Sequence, residues 1–100
     1  MCSAPRQEQT LPAGVDLTKE TVITGRVVDD AGEAVGGAFV RLLDSAAEFT
    51  AEVVASSSGD FRFFAAPGTW TVRALSRVGN GDVTVAPRGA GLHEVDVKVA

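Results

Sequence analysis

Thr69-Trp70-Thr71-Val72-Arg73-Ala74-Leu75-Ser76 carries the cleanest alternation in the sequence. Trp70, Val72 and Ala74 fall on one side of a two-residue period, and Thr71 and Arg73 on the other. Such alternation marks a half-buried β-strand, whose successive side chains leave opposite faces of the sheet. Just before it, Ala66-Pro67-Gly68 predicts a type II turn, because proline presets φ and glycine takes the positive φ beside it. Just after it, Gly79-Asn80-Gly81-Asp82 predicts a hairpin turn. Further strands follow over 82–86 and 92–99, where Val95, Val97 and Val99 face one way and Glu94, Asp96 and Lys98 the other. Upstream, 21–28, 38–43, 49–55 and 61–64 carry β-branched and aromatic runs. They are separated by Asp29-Asp30-Ala31-Gly32, by Ser56-Ser57-Ser58-Gly59, and by Asp44 to Glu48, which reads as one helical turn or a loop. About seven short strands at intervals of roughly 8–12 residues are the signature of an all-β sandwich. The expected core holds Ile23, Val27, Val40, Leu42, Phe61, Phe63, Trp70 and Val72.

One hundred residues with 45% apolar side chains suffice for one domain with one core. Residues 1–18 are polar, contain Pro5, Pro12 and Gly14, and lack periodicity. They are expected to form a flexible N-terminal arm ahead of a domain spanning 19–100. The net charge is −4 and the signs are mixed along the chain. No basic cluster exists to neutralise several phosphates, so nucleic acid is not an expected partner. No apolar run reaches the eighteen residues of a membrane span. No apolar segment of a secretion signal precedes Cys2, so the expected location is the cytoplasm. A single cysteine excludes an internal disulfide.

Ile23-Thr24-Gly25-Arg26-Val27-Val28-Asp29, Gly32, Val35-Gly36-Gly37-Ala38-Phe39-Val40, Gly59-Asp60-Phe61 and Pro67-Gly68-Thr69-Trp70-Thr71-Val72 together resemble the carboxypeptidase regulatory-domain-like, or transthyretin-like, β-sandwich. The likeness covers about residues 21–76. Trp70 stands where that family usually has Tyr, and both are large rings with one polar atom. The chain from Met1-Cys2-Ser3 onward, including the run from Gly36 to Asp44, also resembles the small SseC-type proteins of certain bacteria. Those are associated with thiosulfate sulfurtransferases by gene neighbourhood. That resemblance implies a setting in sulfur metabolism, with a thiosulfate sulfurtransferase as partner, and does not imply that this chain catalyses sulfur transfer. Within the transthyretin-like fold, one enzyme type hydrolyses 5-hydroxyisourate with histidines and a Tyr-Arg-Gly-Ser ending. Here His93 is the one histidine and tyrosine is absent, so that activity is not expected.

Cys2 is the sulfur-acceptor candidate. Once Met1 is removed, Cys2 carries a free amine beside a thiol of ordinary pKa ~8.5, partly thiolate at neutral pH. Such a thiolate can accept a sulfane sulfur as a persulfide. An arm of this length reaches roughly 20–25 Å, enough to enter a partner's cleft. The competing readings are an incidental thiol and a weak metal-binding module in which Cys2 and its amine chelate a soft ion. His93 reads as a surface residue, and no metal site, cofactor or catalytic set is expected. A second open question concerns Phe39, Leu43 and Phe64. With Ala38, Val40, Leu42, Phe61 and Phe63 facing inward, these three face out. They are candidates for an interaction surface, covered by the arm, a second subunit or a partner. The expected function is therefore a non-enzymatic accessory or binding module. A structural or protein-interaction domain unrelated to sulfur is the alternative.

Overall fold

The computed structural model describes residues 6–7 and 20–100. The chain forms β1 (Arg6–Gln7), β2 (Thr21–Val28), β3 (Phe39–Leu43), β4 (Phe49–Ala55), β5 (Asp60–Phe64), β6 (Trp70–Ser76), β7 (Gly79–Val85) and β8 (Gly91–Lys98). Among the described residues there is no helix. A five-stranded sheet ordered β1-β4-β3-β6-β7 packs on a three-stranded sheet ordered β5-β2-β8. The fold is therefore the all-β sandwich expected from the strand pattern, in the transthyretin-like form that the resemblance implies. Of the arm expected over 1–18, only Arg6–Gln7 lies among the described residues, running parallel to Val54–Ala55 at the sheet edge. Cys2 lies outside them.

The core sits between the sheets. The smaller one contributes Ile23, Val27, Phe61, Phe63 and Val97; the larger contributes Val40, Leu42, Val53, Val72 and Ala74. Of the expected core, Trp70 alone is only half buried; its indole Nε1 donates to the Ala66 carbonyl oxygen at 2.8 Å at the margin of the cluster. β2 is central to the smaller sheet, antiparallel to β5 and parallel to β8 over eight residue pairs from Thr21↔Gly91 to Val28↔Lys98. Gly25 is what lets these three strands close. A Cβ there would overlap the carbonyl of Val95 and press on the ring of Phe61, and only glycine removes that conflict.

Three loops repeat one design. At Asp29, Asp44 and Ser56 a side-chain oxygen accepts from the backbone N–H groups two and four residues later, at 2.9–3.3 Å. The N–H of the same residue donates to the carbonyl four residues on. Its carbonyl in turn accepts from the residue three on. That third residue takes positive φ: Gly32 at 81°, Ala47 at 61° and Gly59 at 81°. A short Asp or Ser side chain mimics a backbone acceptor and so fixes the loop. The stretch from Asp44 to Glu48 is accordingly a turn of this kind and not a helical turn.

Two turns differ from the expectation. The β6–β7 hairpin turns at Arg77-Val78, where the Ser76 hydroxyl donates to the Gly79 carbonyl and accepts from the Val78 N–H. Gly79 and Gly81 lie inside β7, where the C-terminal residues 98–100 cross so closely that a Cβ at either would overlap their backbone. These glycines mark close approach, which reads in sequence like a turn. At Ala66-Pro67-Gly68 the chain bends without a type II turn, with Gly68 at φ 149° and its N–H donating to Pro87.

Ala47 is the one non-glycine residue with positive φ among those described. A left-handed conformation costs an L-residue roughly 1–2 kcal/mol, and the added chain entropy of glycine offsets roughly 0.5–1 kcal/mol of that. Urea denaturation should show Ala47→Gly stabilising the domain by about 0.5–1 kcal/mol. Gly32→Ala, at the equivalent position with open space around it, should destabilise by a similar amount. Equal stability of both variants and the parent would mean the loops relax out of this geometry.

Candidate functional site

Strand register determines what each outer face presents. Phe39 pairs with Val54 and Leu75, so these three form an apolar row across β4, β3 and β6 on the outer face of the larger sheet. One step along, Arg41 pairs with Glu52 and with Arg73, and Arg73 with Asp82. This gives a charged row Glu52–Arg41–Arg73–Asp82 across four strands. Arg41 Nε lies 2.7 Å from Glu52 Oε2, and Arg73 Nη2 lies 3.4 Å from Asp82 Oδ2. The next row carries Leu43 and Thr71.

An open groove of about 710 Å³ adjoins the apolar row at the end of this face. Its walls are the β2–β3 loop, with Val35, Gly36 and Gly37, and the β6–β7 turn, with Arg77 and Val78; Phe39 and Leu75 line its floor. Gly37 takes φ 74°, and a Cβ on Gly36 would press against the backbone of Ser57, so the loop cannot carry side chains there without moving. Phe39 is 43% and Val78 54% exposed. Asp29, at the rim, has its carboxylate committed to its own turn.

The three residues expected to form one interaction surface do not meet. Phe39 is exposed on the larger sheet. Phe64, 49% exposed, lies on the outer face of the smaller sheet, where its row continues through buried Val22 to exposed Leu92. Leu43 is only 6% exposed, which corrects its assignment to the surface. Beside it β4 carries a bulge: Ala51 and Phe49 stand opposite Leu42 and Leu43, leaving Thr50 as the extra residue. Phe49 thereby becomes the outer-face neighbour of Leu43 and is itself 62% exposed. Alternation within β3 gave no sign of this, because the extra residue sits in the partner strand.

Beyond Phe39, the apolar groove residues are half-buried Leu75 and exposed Val78, neither of which the pattern singles out. Leu75 follows the alternation that placed Thr71 and Arg73 outward, and that signal could have found it. His93 is half buried on β8, with Nε2 donating to the Gly89 carbonyl at 2.9 Å. Among the described residues no three His, Cys, Asp or Glu side chains gather closely enough to hold a metal ion. No helix among them is long and apolar enough to cross a membrane.

Residues 2–99 match the family model described as Protein of unknown function (DUF1416), and the chain belongs to that family. It is 77% identical over 99 residues to each of two uncharacterized proteins of Mycobacterium tuberculosis H37Rv, Rv0814c and Rv3118, covering 99% of both chains in each case. An uncharacterized protein of Mycolicibacterium smegmatis is 83% identical over 90 residues, which is 90% of this chain and 100% of that one. Among solved structures, a DUF3823 family protein from Parabacteroides merdae superposes with TM-score 0.60 at 21% identity, over 83% of this chain and 47% of that one. Catechol 1,2-dioxygenase from Acinetobacter sp. ADP1 superposes with TM-score 0.62 at 10% identity, over 98% of this chain and 59% of that one. At these identities the solved structures speak to the sandwich fold alone. The chain spans about half to three-fifths of their length.

The placement of Leu43 and Phe39 can be separated by stability. Leu43→Ala should cost about 2–4 kcal/mol, the range for truncating a buried aliphatic side chain. Phe39→Ser should cost no more than about 1 kcal/mol. Equal losses in denaturant titrations would place both residues in the same environment and remove Phe39 from the exposed face.

Proposed function

We propose that this chain is a non-enzymatic binding module whose partner docks on the outer face of the larger sheet, at the groove between the β2–β3 loop and the β6–β7 turn. The observation that carries this reading is the contiguity of Phe39, Leu75 and Val78 around the groove, two of them large and exposed. Contiguous exposed apolar side chains rimmed by charge are the usual anatomy of a docking site. Of the charged side chains around them, Asp29, Arg41 and Arg73 with their acidic neighbours are engaged in turn and cross-strand contacts, and Arg77 stands on the groove wall. That leaves recognition, and not proton or group transfer, as the chemistry this face best supports.

The setting in sulfur metabolism belongs to the same proposal and is carried by the resemblance of the sequence to the SseC-type proteins. In that reading the partner is a cytoplasmic thiosulfate sulfurtransferase, the sandwich docks beside its active site, and Cys2 presents the accepting thiol. A protein-interaction domain unrelated to sulfur is the alternative, and a second copy of the chain would then be the first partner to examine.

Purified thiosulfate sulfurtransferase from the same organism should bind the wild-type chain in calorimetry. Phe39→Asp combined with Val78→Asp should abolish that binding while circular dichroism stays unchanged. After incubation with thiosulfate and the sulfurtransferase, the chain should gain about 32 Da, one sulfur atom as a persulfide, and Cys2→Ser should not. Binding without an adduct would remove the sulfur role and keep the docking face. Binding that survives both aspartates would remove the docking face.

A further inference from the structure

The charged row on the outer face of the larger sheet is ordered in a way that stability alone would not choose. Reading across β4, β3, β6 and β7 the signs run negative, positive, positive, negative. Each arginine has one acidic neighbour, and the two arginines are neighbours of each other. Like charges directly opposite on adjacent strands destabilise a sheet, and opposite charges stabilise it. The same four residues with the charges of β6 and β7 exchanged would make three attractive contacts and no repulsive one. The observed order makes two attractive contacts and one repulsive one, with the repulsive contact in the middle of the face. A local choice that opposes stability is where function is to be sought.

The acids also leave room for a further anion. Glu52 meets Arg41 at Nε, and Asp82 meets Arg73 at a single Nη nitrogen. A guanidinium carries five N–H donors in a planar fork, so each arginine keeps several, and both side chains are nearly half exposed. On one flank lies the apolar row Val54–Phe39–Leu75, and on the other the hydroxyl-bearing Thr71 beside Leu43.

We infer that Arg41 and Arg73 form a two-guanidinium receptor for a carboxylate on the docking partner, an acidic side chain flanked by apolar residues that rest on Phe39 and Leu75. The bound carboxylate relieves the central repulsion and accepts charge-assisted hydrogen bonds from both arginines, whose forks match its geometry. This rests on the reading of the same face as the docking surface and supplies the chemistry of the partner. It also accounts for how a chain of net charge −4 would admit an acidic segment: the recognition is local to two arginines and their apolar flank.

The test is a titration followed by the arginine Nε–Hε resonances in NMR. The probe is the capped tripeptide acetyl-Leu-Glu-Leu-amide, with acetyl-Leu-Gln-Leu-amide and sodium acetate as controls at matched ionic strength. The acidic peptide should shift Arg41 and Arg73 saturably and leave Arg26 and Arg88 unmoved. The glutamine peptide should bind at least about tenfold more weakly, the least expected for losing hydrogen bonds to a charged group. The double exchange Arg73→Asp with Asp82→Arg should remove the response of Arg41 while leaving the melting temperature equal to or above that of the parent. Three outcomes would each overturn the receptor: shifts that grow linearly with salt, shifts of equal size at Arg26 and Arg88, or an exchanged variant that still binds. Silent arginines alongside partner binding that depends on Phe39 would overturn the receptor and leave the docking face standing.

Discussion

The sandwich depends on the place of Thr21–Val28 between two neighbours, antiparallel to Asp60–Phe64 and parallel to Gly91–Lys98. A parallel pair cannot be joined by a tight turn. Four strands of the larger sheet, β3, β4, β6 and β7, therefore lie in the chain between β2 and β8. Gly25 sits at the middle of this arrangement, under the ring of Phe61 and against the Val95 carbonyl, where any side chain would force β8 or β5 away. Once β8 is seated, residues 98–100 cross β7 at Gly79 and Gly81 and tie the two sheets together at that margin. The core residues Val97 and Val99 are in place only through this pairing, so the closing of both sheets follows from one contact of long sequence separation.

Local chemistry handles the connections. Asp29, Asp44 and Ser56 each fold their own loop by accepting two backbone N–H groups. Each loop is thus specified by its own residues, and the long connection back to β8 carries the larger closure cost. This division explains what could be read from residues alone. Strand existence followed from alternation and β-branched content, and the buried set of Ile23, Val27, Val40, Leu42, Phe61, Phe63 and Val72 followed from its phase. Loop position was legible where a polar side chain punctuated the chain, as at Asp29 and Ser56.

Sequence reading lost its grip wherever the deciding contact lay in another strand. Gly79 and Gly81 look like a turn because glycine serves both turns and close approach, and only the crossing of the C-terminal residues separates the two uses. Leu43 looks exposed because its strand alternates cleanly; the extra residue, Thr50, belongs to β4 and shifts Phe49 onto the outer face beside it. Phe39 and Phe64 share a phase and not a sheet, and sheet membership is a property of topology. The charged row is a further case. Arg41 and Arg73 are thirty-two positions apart in numbering, and nothing local relates them before β3 and β6 are known to pair in that register.

The fold itself says little about the role, because the same sandwich architecture superposes on a dioxygenase and on a DUF3823 family protein at identities of 10% and 21%. Function on such a scaffold lives in what the faces and loops carry. A sheet that served only to close the core would settle its outer face by alternating charges along each row and keeping large apolar side chains off it. The larger sheet here departs from both rules in adjacent rows: Phe39 and Leu75 open onto a groove, and two arginines stand side by side one step away. The outer face of the smaller sheet departs from the second rule, with Phe64 and Leu92 exposed on it, and keeps the first. In its apolar row buried Val22 stands between Phe64 and Leu92, and two rows along, Arg26 lies between Asp60 and Asp96, opposite charges on both sides. The two faces of one molecule differ in the order of their charges, and that difference supports the docking face proposed on the larger sheet.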